Sequence, residues 1–113
     1  MNQHTTTQSA LNHSLRKVVD AVDSLISEPS EDQANYGVLR RQREMLMVGI
    51  GWEIPVIRPS YPELGAAVGC SHSTAMNHLE AWQRMPWQDR YGWLRLVDGR
   101  LRNEADAVDA VVL

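Results

Sequence analysis

Phenylalanine is absent from this chain of 113 residues, cysteine occurs once, at Cys70, and lysine once, at Lys17. A single thiol excludes an internal disulfide framework. With four scattered histidines it leaves no Cys-x-x-Cys or comparable zinc-ligand spacing, so no metal or cofactor is expected. Long apolar runs are missing too. None approaches the ~18 residues of a membrane span, and Met1 to Ser9 is polar rather than a basic region followed by an apolar one. The expectation is a cytoplasmic protein, neither anchored nor secreted. The scarcity of lysine leaves arginine as nearly the whole cationic complement, and arginine grips phosphate or guanine with two hydrogen bonds.

What is present fits one domain: 43% apolar residues with four Trp are enough for a modest core, and no room is left for a second catalytic domain. The net charge of −3 argues by itself against a generic nucleic-acid binder. Its distribution argues the other way. Residues 1–35 hold two basic and five acidic groups, residues 36–102 nine Arg and six acidic groups, and residues 103–113 three acidic groups alone, giving −3, +3 and −3. We divide the chain accordingly into an N-terminal helix with a linker (1–35), a basic central domain (36–103) and an acidic, apolar tail (104–113).

"LNHSLRKVVDAVDSLIS" repeats Leu11, Leu15, Val18, Val22 and Leu25 in a four-three alternation, with Val19 and Ile26 beside them. This is one stripe of an amphipathic helix, which can either pack on its own domain or serve as a dimer seam. "EPSEDQAN" then reads as a linker over 28–35. "YGVLRRQREMLMVGIGWEI" starts a second helix with Leu39, Gln42, Leu46 and Ile50 toward a core, and Gly49 and Gly51 weakening its end.

"RPSYPELGAAVGCSHSTAMNHLEAW" carries the most information. Ser60 is placed to cap a helix, Pro62 suits its first turn, and Glu63 stands at the capping-box spacing. Gly69 can take the left-handed conformation that ends a helix, Ser71 caps the next, and Met85-Pro86 ends that one. On the second helix Ala75, Leu79 and Trp82 share one face with His78 at its edge, while Ser73, Asn77, Glu80 and Arg84 line the opposite face. The order of cap, short helix, glycine turn, cap and longer helix with a polar outer face predicts a helix-turn-helix. That motif holds an exposed helix at an angle that fits the DNA major groove.

At these residues the sequence resembles the DNA-binding domain of the LexA family of repressors, a winged helix-turn-helix. "RRQREML" is similar to that family's first-helix signature, "RPSYPELGAAVG" to its Pro-Pro-Ser-x-Arg-Glu-Ile-Gly segment, and "HSTAMNHLEAW" to its recognition helix, over about residues 39–84. The segment "SYPELG" with the later "HST" also resembles the terminal DNA-binding domain of the replication initiator DnaA, although Cys70-Ser71 stands where that family has Arg-Asp. The segment beyond residue 84 separates the two. "WLRLVDGRLR" places Asp98-Gly99 as a two-residue hairpin signal, while Trp87, Tyr91, Leu94, Val97 and Leu101 recur at helical spacing behind Pro86. We expect the hairpin, hence a mainly α fold with a small wing; the alternative is an all-α helix-turn-helix. The LexA-type self-cleaving Ser/Lys activity is not expected, since Lys17 is the only lysine.

The resemblance implies base contacts from Ser71, Ser73, Thr74, Met76 and Asn77. Asn can pair with adenine in a bidentate manner, hydroxyls accept several partners, and methyl groups touch thymine. Arg58, Ser60 and Tyr61 at the start of the motif's first helix, with Arg84, Arg90 and Arg95, are the candidate phosphate contacts. His72 and His78 stand six apart with no carboxylate arranged to orient them, and Cys70 reads as a small filler. No enzymatic constellation is present. The expected function is a sequence-specific, double-stranded DNA-binding transcriptional regulator of bacterial or phage type. It is expected to act as a homodimer through the N-terminal helix or the terminal "EADAVDAVVL". The alternatives are origin binding of the DnaA type and a protein-binding adaptor whose acidic ends engage a partner.

Overall fold

Apolar residues spaced three and four apart need a helical partner surface, and here each amphipathic segment supplies the others'. The structure is a computed structural model that describes the backbone of residues 3–112 and the side chains of residues 14–103. It contains five helices: α1 (Gln3–Leu25), α2 (Tyr36–Glu53), α3 (Tyr61–Val68), α4 (His72–Arg84) and α5 (Trp87–Val112). Among the described residues there is no strand.

The stripe of α1 is spent inside the fold. Leu15, Val18, Val19 and Val22 are buried in one cluster with Leu46, Ile50, Leu64, Leu79, Trp82 and Val97, and Leu25 and Ile26 pack against it. Leu11 lies outside the described side chains. Helix α1 touches α2, α3 and α5, so of its two possible roles the structure forms the packing one. Arg43 of α2 fastens the end of α1, its Nε donating to the Ile26 carbonyl at 3.1 Å and its guanidinium pairing with Asp23. The linker between α1 and α2 falls at residues 26–35.

In α2 the expected core positions Leu46 and Ile50 are fully enclosed, Leu39 is half-buried and Gln42 is exposed. Gly49 and Gly51 do not weaken the end of α2. Both are buried, and the helix runs on to Glu53. Their lack of a side chain is what the packing uses: a Cβ on Gly49 would overlap the Trp82 indole of α4, and one on Gly51 would press on Leu15 at 3.2 Å and Leu64 at 3.4 Å.

The wing is not formed. Asp98 and Gly99 lie inside α5, and Gly69 is the one residue with positive φ among those described, so the left-handed turn that an Asp-Gly hairpin requires does not occur at Gly99. The helical periodicity overrides the local dipeptide signal because it lets Val97 bury completely and Trp93, Leu94 and Leu101 pack on the core. Asp98 instead joins Arg102 in an i, i+4 ion pair at 3.0 Å. The architecture is the all-α helix-turn-helix, not the winged one.

Two glycine substitutions should separate packing from propensity. Gly92 of α5 has open space where a methyl would stand, so Gly92→Ala should stabilise the protein by about 1 kcal/mol through helix propensity. Gly49→Ala gains the same propensity but collides with the indole, and should lower stability by about 1–3 kcal/mol net. Urea unfolding checks both, and equal midpoints for the two variants would show that Trp82 is not seated on Gly49.

Candidate nucleic-acid interface

Two serine caps and one glycine turn fix the geometry of α3 and α4. Ser60, with extended backbone, accepts the Glu63 N–H at 3.3 Å and starts α3 ahead of Pro62. Only this half of the capping box is in place. The Glu63 Oε2 is buried and finds no hydrogen-bond partner among the described residues. Gly69 closes α3 in the left-handed conformation at φ 93°, and the N–H groups of Gly69 and Cys70 both donate to the Gly65 carbonyl, at 2.7 and 2.8 Å. The turn folds back so tightly that a Cβ on Gly65 would stand 2.5 Å from the Cys70 carbonyl oxygen.

Ser71 then caps α4, its hydroxyl accepting the Thr74 N–H at 3.2 Å and donating to the Thr74 hydroxyl at 2.9 Å. Ala75, Leu79 and Trp82 hold the inner face of α4 against the body, each almost fully enclosed. His72, Ser73, Met76, Asn77, Glu80 and Arg84 are exposed on the other side. Of the five candidate base-contacting residues, Ser73, Met76 and Asn77 therefore present free side chains. Ser71 is exposed and Thr74 half-buried, and the hydroxyls of these two satisfy one another.

The candidate phosphate ligands divide in the same way. Arg58, exposed in the loop before α3, lies over the Trp52 ring at 3.9 Å to its centroid and donates to the Trp52 carbonyl at 3.1 Å, which fixes it near Ser60 and Tyr61. Tyr61 is the first residue of α3 and is partly exposed, and Arg84 ends α4 in solvent. Arg90 is held inward. Its Nε donates to the Met85 carbonyl at 3.2 Å, its guanidinium sits 4.0 Å from Glu53, and it lies over the Trp87 ring. Arg95 is exposed on α5 above Tyr91.

Two carboxylates that the sequence left unassigned anchor the motif from α2. The Trp82 indole N–H donates to the Glu53 Oε2 at 2.6 Å, a bond that sets the rotation of α4 about its axis. Glu44 Oε1 lies 3.6 Å from the His78 Nε2, so His78 does have an orienting carboxylate, and the same carboxylate acts on the Cys70 thiol. Both partners are about thirty residues away in the chain, beyond any helical spacing that could have paired them. Burial, with the Glu44 hydrogen bond and charge, pushes the Cys70 thiol up to about 11. A thiol held in its protonated form is a packing group and not a nucleophile. Among the described residues no group of three His, Cys, Asp or Glu could hold a metal ion, and no helix is long and apolar enough to cross a membrane.

No known protein family, curated protein or solved structure matches the chain.

The raised thiol has a measurable consequence. At pH 8 Cys70 should react with iodoacetamide about a hundredfold more slowly than a thiol at the ordinary value of 9.0, and Glu44→Gln should speed the reaction by removing the charge that opposes the thiolate. The same group makes stability fall as pH climbs from about 9 to about 11, because the unfolded thiol ionises first. Alkylation at the free-thiol rate in the folded wild type would refute the burial that raises the Cys70 thiol.

Proposed function

We propose that the chain is a sequence-specific, double-stranded DNA-binding protein that lays α4 in the major groove and acts as a transcriptional regulator of bacterial or phage type. One observation carries this reading: α4 turns an apolar face of Ala75, Leu79 and Trp82 into the body while Ser73, Met76 and Asn77 face solvent, held by a capped, glycine-turned α3. The outer side chains match the chemistry of base edges, with Asn77 suited to adenine and Met76 to the thymine methyl. Arg58, Ser60 and Tyr61 at one end of the motif and Arg84 at the other suit phosphates on either side of the groove. Glu80 on the same face suits cytosine as an acceptor and opposes misplaced phosphate.

The helical course of α5 favours a second reading. The segment after residue 84 is where the two family resemblances part, and without a wing the likeness to the DnaA terminal domain gains weight. On that reading the same α4 face binds duplex sites at a replication origin. The departure at Cys70-Ser71 then places the base reading on Ser73, Met76 and Asn77 rather than on an arginine in the turn.

Selection from random duplexes at low and at physiological salt tests both. The wild type should enrich one motif. Asn77→Ala should relax one position of it at a cost of about 1–3 kcal/mol, and Arg84→Ala should weaken all sequences alike and flatten the salt slope by about one. No enriched motif at either salt would sink DNA reading and leave the adaptor function, in which the acidic ends engage a protein.

A further inference from the structure

Helix α5 carries two apolar stripes, and the body of the protein consumes one. Val97 is fully buried and Trp93 packs on the core. The second stripe runs Trp87, Tyr91, Leu94 and Leu101 in four-three alternation, interrupted by Asp98, and the sequence continues it through Ala105, Val108 and Val112. Leu94 and Leu101 rest partly on the core, but Trp87 and Tyr91 are 56% and 47% exposed, their rings 5.7 Å apart. Together with Leu94, Arg95 and Asp98 they line one side of a groove of ≈ 740 Å³ whose other wall is Glu53 and Ile54 at the end of α2.

We propose that this groove receives the C-terminal half of α5 from a second copy of the chain, the two helices lying antiparallel about a twofold axis near Gly99 and Arg100. In that register Trp87 is level with Val112 of the second copy, Tyr91 with Val108, Leu94 with Ala105, and Asp98 with Leu101. Large side chains at one end therefore meet small ones at the other, which is the complementarity a close helix pair needs. Gly99, with open space around a Cβ, lies at the crossing. Charge points to the same partner. Residues 87–102 hold four Arg and two acidic groups, residues 103–113 three acidic groups and no basic one, and the register sets Arg95, which lines the groove, level with Glu104. A continuous helix cannot fold back on its own first half, so the complementary surface must come from another molecule. A patch that complements itself makes a closed twofold dimer. This pairing does not depend on DNA binding.

Sedimentation velocity on the full chain without DNA is the test. The wild type should sediment as a dimer at high micromolar concentration. Tyr91→Glu and Val108→Lys should each give monomers with an unchanged helical circular dichroism signal, and an equal mixture of the two should recover a dimer, because only the mixed pair sets opposite charges level. Leu96→Glu, on an exposed position off the stripe, should leave the dimer intact. A monomeric wild type would give the groove to a different occupant and overturn the proposal. So would a dimer indifferent to both substitutions, or a mixture that stays monomeric.

Discussion

The Trp82 indole lying on Gly49 is the contact on which the rest of the arrangement depends. It is the largest fully buried side chain, and it comes from the helix whose outer face is to be presented. The missing Cβ lets α4 approach the α2 backbone closely, and the indole N–H bond to Glu53 stops α4 from rolling. Apolar burial is not directional, so it specifies the rotation of a helix less sharply than a hydrogen bond does. One part-buried, charge-assisted hydrogen bond adds that direction. Glu53 is in turn held near Arg90, which reaches from α5 and caps the Met85 carbonyl at the end of α4. Two helices, α2 and α5, thus fix the orientation of α4.

On the proposed DNA-binding reading, the placement of the arginines and not the net charge of −3 decides whether the chain could meet phosphate. Counting arginines overstates the site, since Arg43 and Arg90 are engaged in joining helices. What counts is position: Arg58 is stiffened by stacking on Trp52, and Arg84 projects from the last turn of α4. Were Arg58 to meet a phosphate as proposed, this stacking would reduce the side-chain entropy lost on contact. The acidic groups of the first 35 residues lie outside the motif, and one of them, Asp23, is occupied by Arg43. A sequence average hides this segregation.

Much of the motif is legible in the sequence because its signals are local. Ser60, Pro62, Gly69, Ser71 and Pro86 each act within a turn of chain, and all five bound helices where their chemistry demands. The stripe of α1 is equally clear from spacing, though not what it packs against. The signals that mislead are the glycines. Gly49 and Gly51 look like a fraying end, and Gly99 after Asp98 like a hairpin, because glycine is read by its backbone freedom when no neighbour is known. In the fold Gly49 and Gly51 serve close approach and Gly99 is an ordinary helical residue costing about 1 kcal/mol, an amount that burial of Val97 alone offsets. The anchors Glu44 and Glu53 are invisible for a different reason: their partners come from another helix, and one sequence contains no record of that distance.

If α4 reads DNA as proposed, the size of its outer face sets what selectivity would need. Ser73, Met76 and Asn77 are the free side chains among the base-contact candidates, and each good base contact discriminates by about 1–3 kcal/mol. Three such contacts would supply about 3–9 kcal/mol, which overlaps most of the roughly 4–10 kcal/mol by which specific binding exceeds non-specific binding. With no wing among the described residues to add contacts in a neighbouring groove, the proposed reading would draw its margin of selectivity from a second α4 on the same duplex. The first half of α5 is tied through Arg90 to the carbonyl that ends α4. Pairing through α5 would therefore hold two reading helices in a fixed relation, and the spacing of the two half-sites would be set by the dimer rather than by either motif alone.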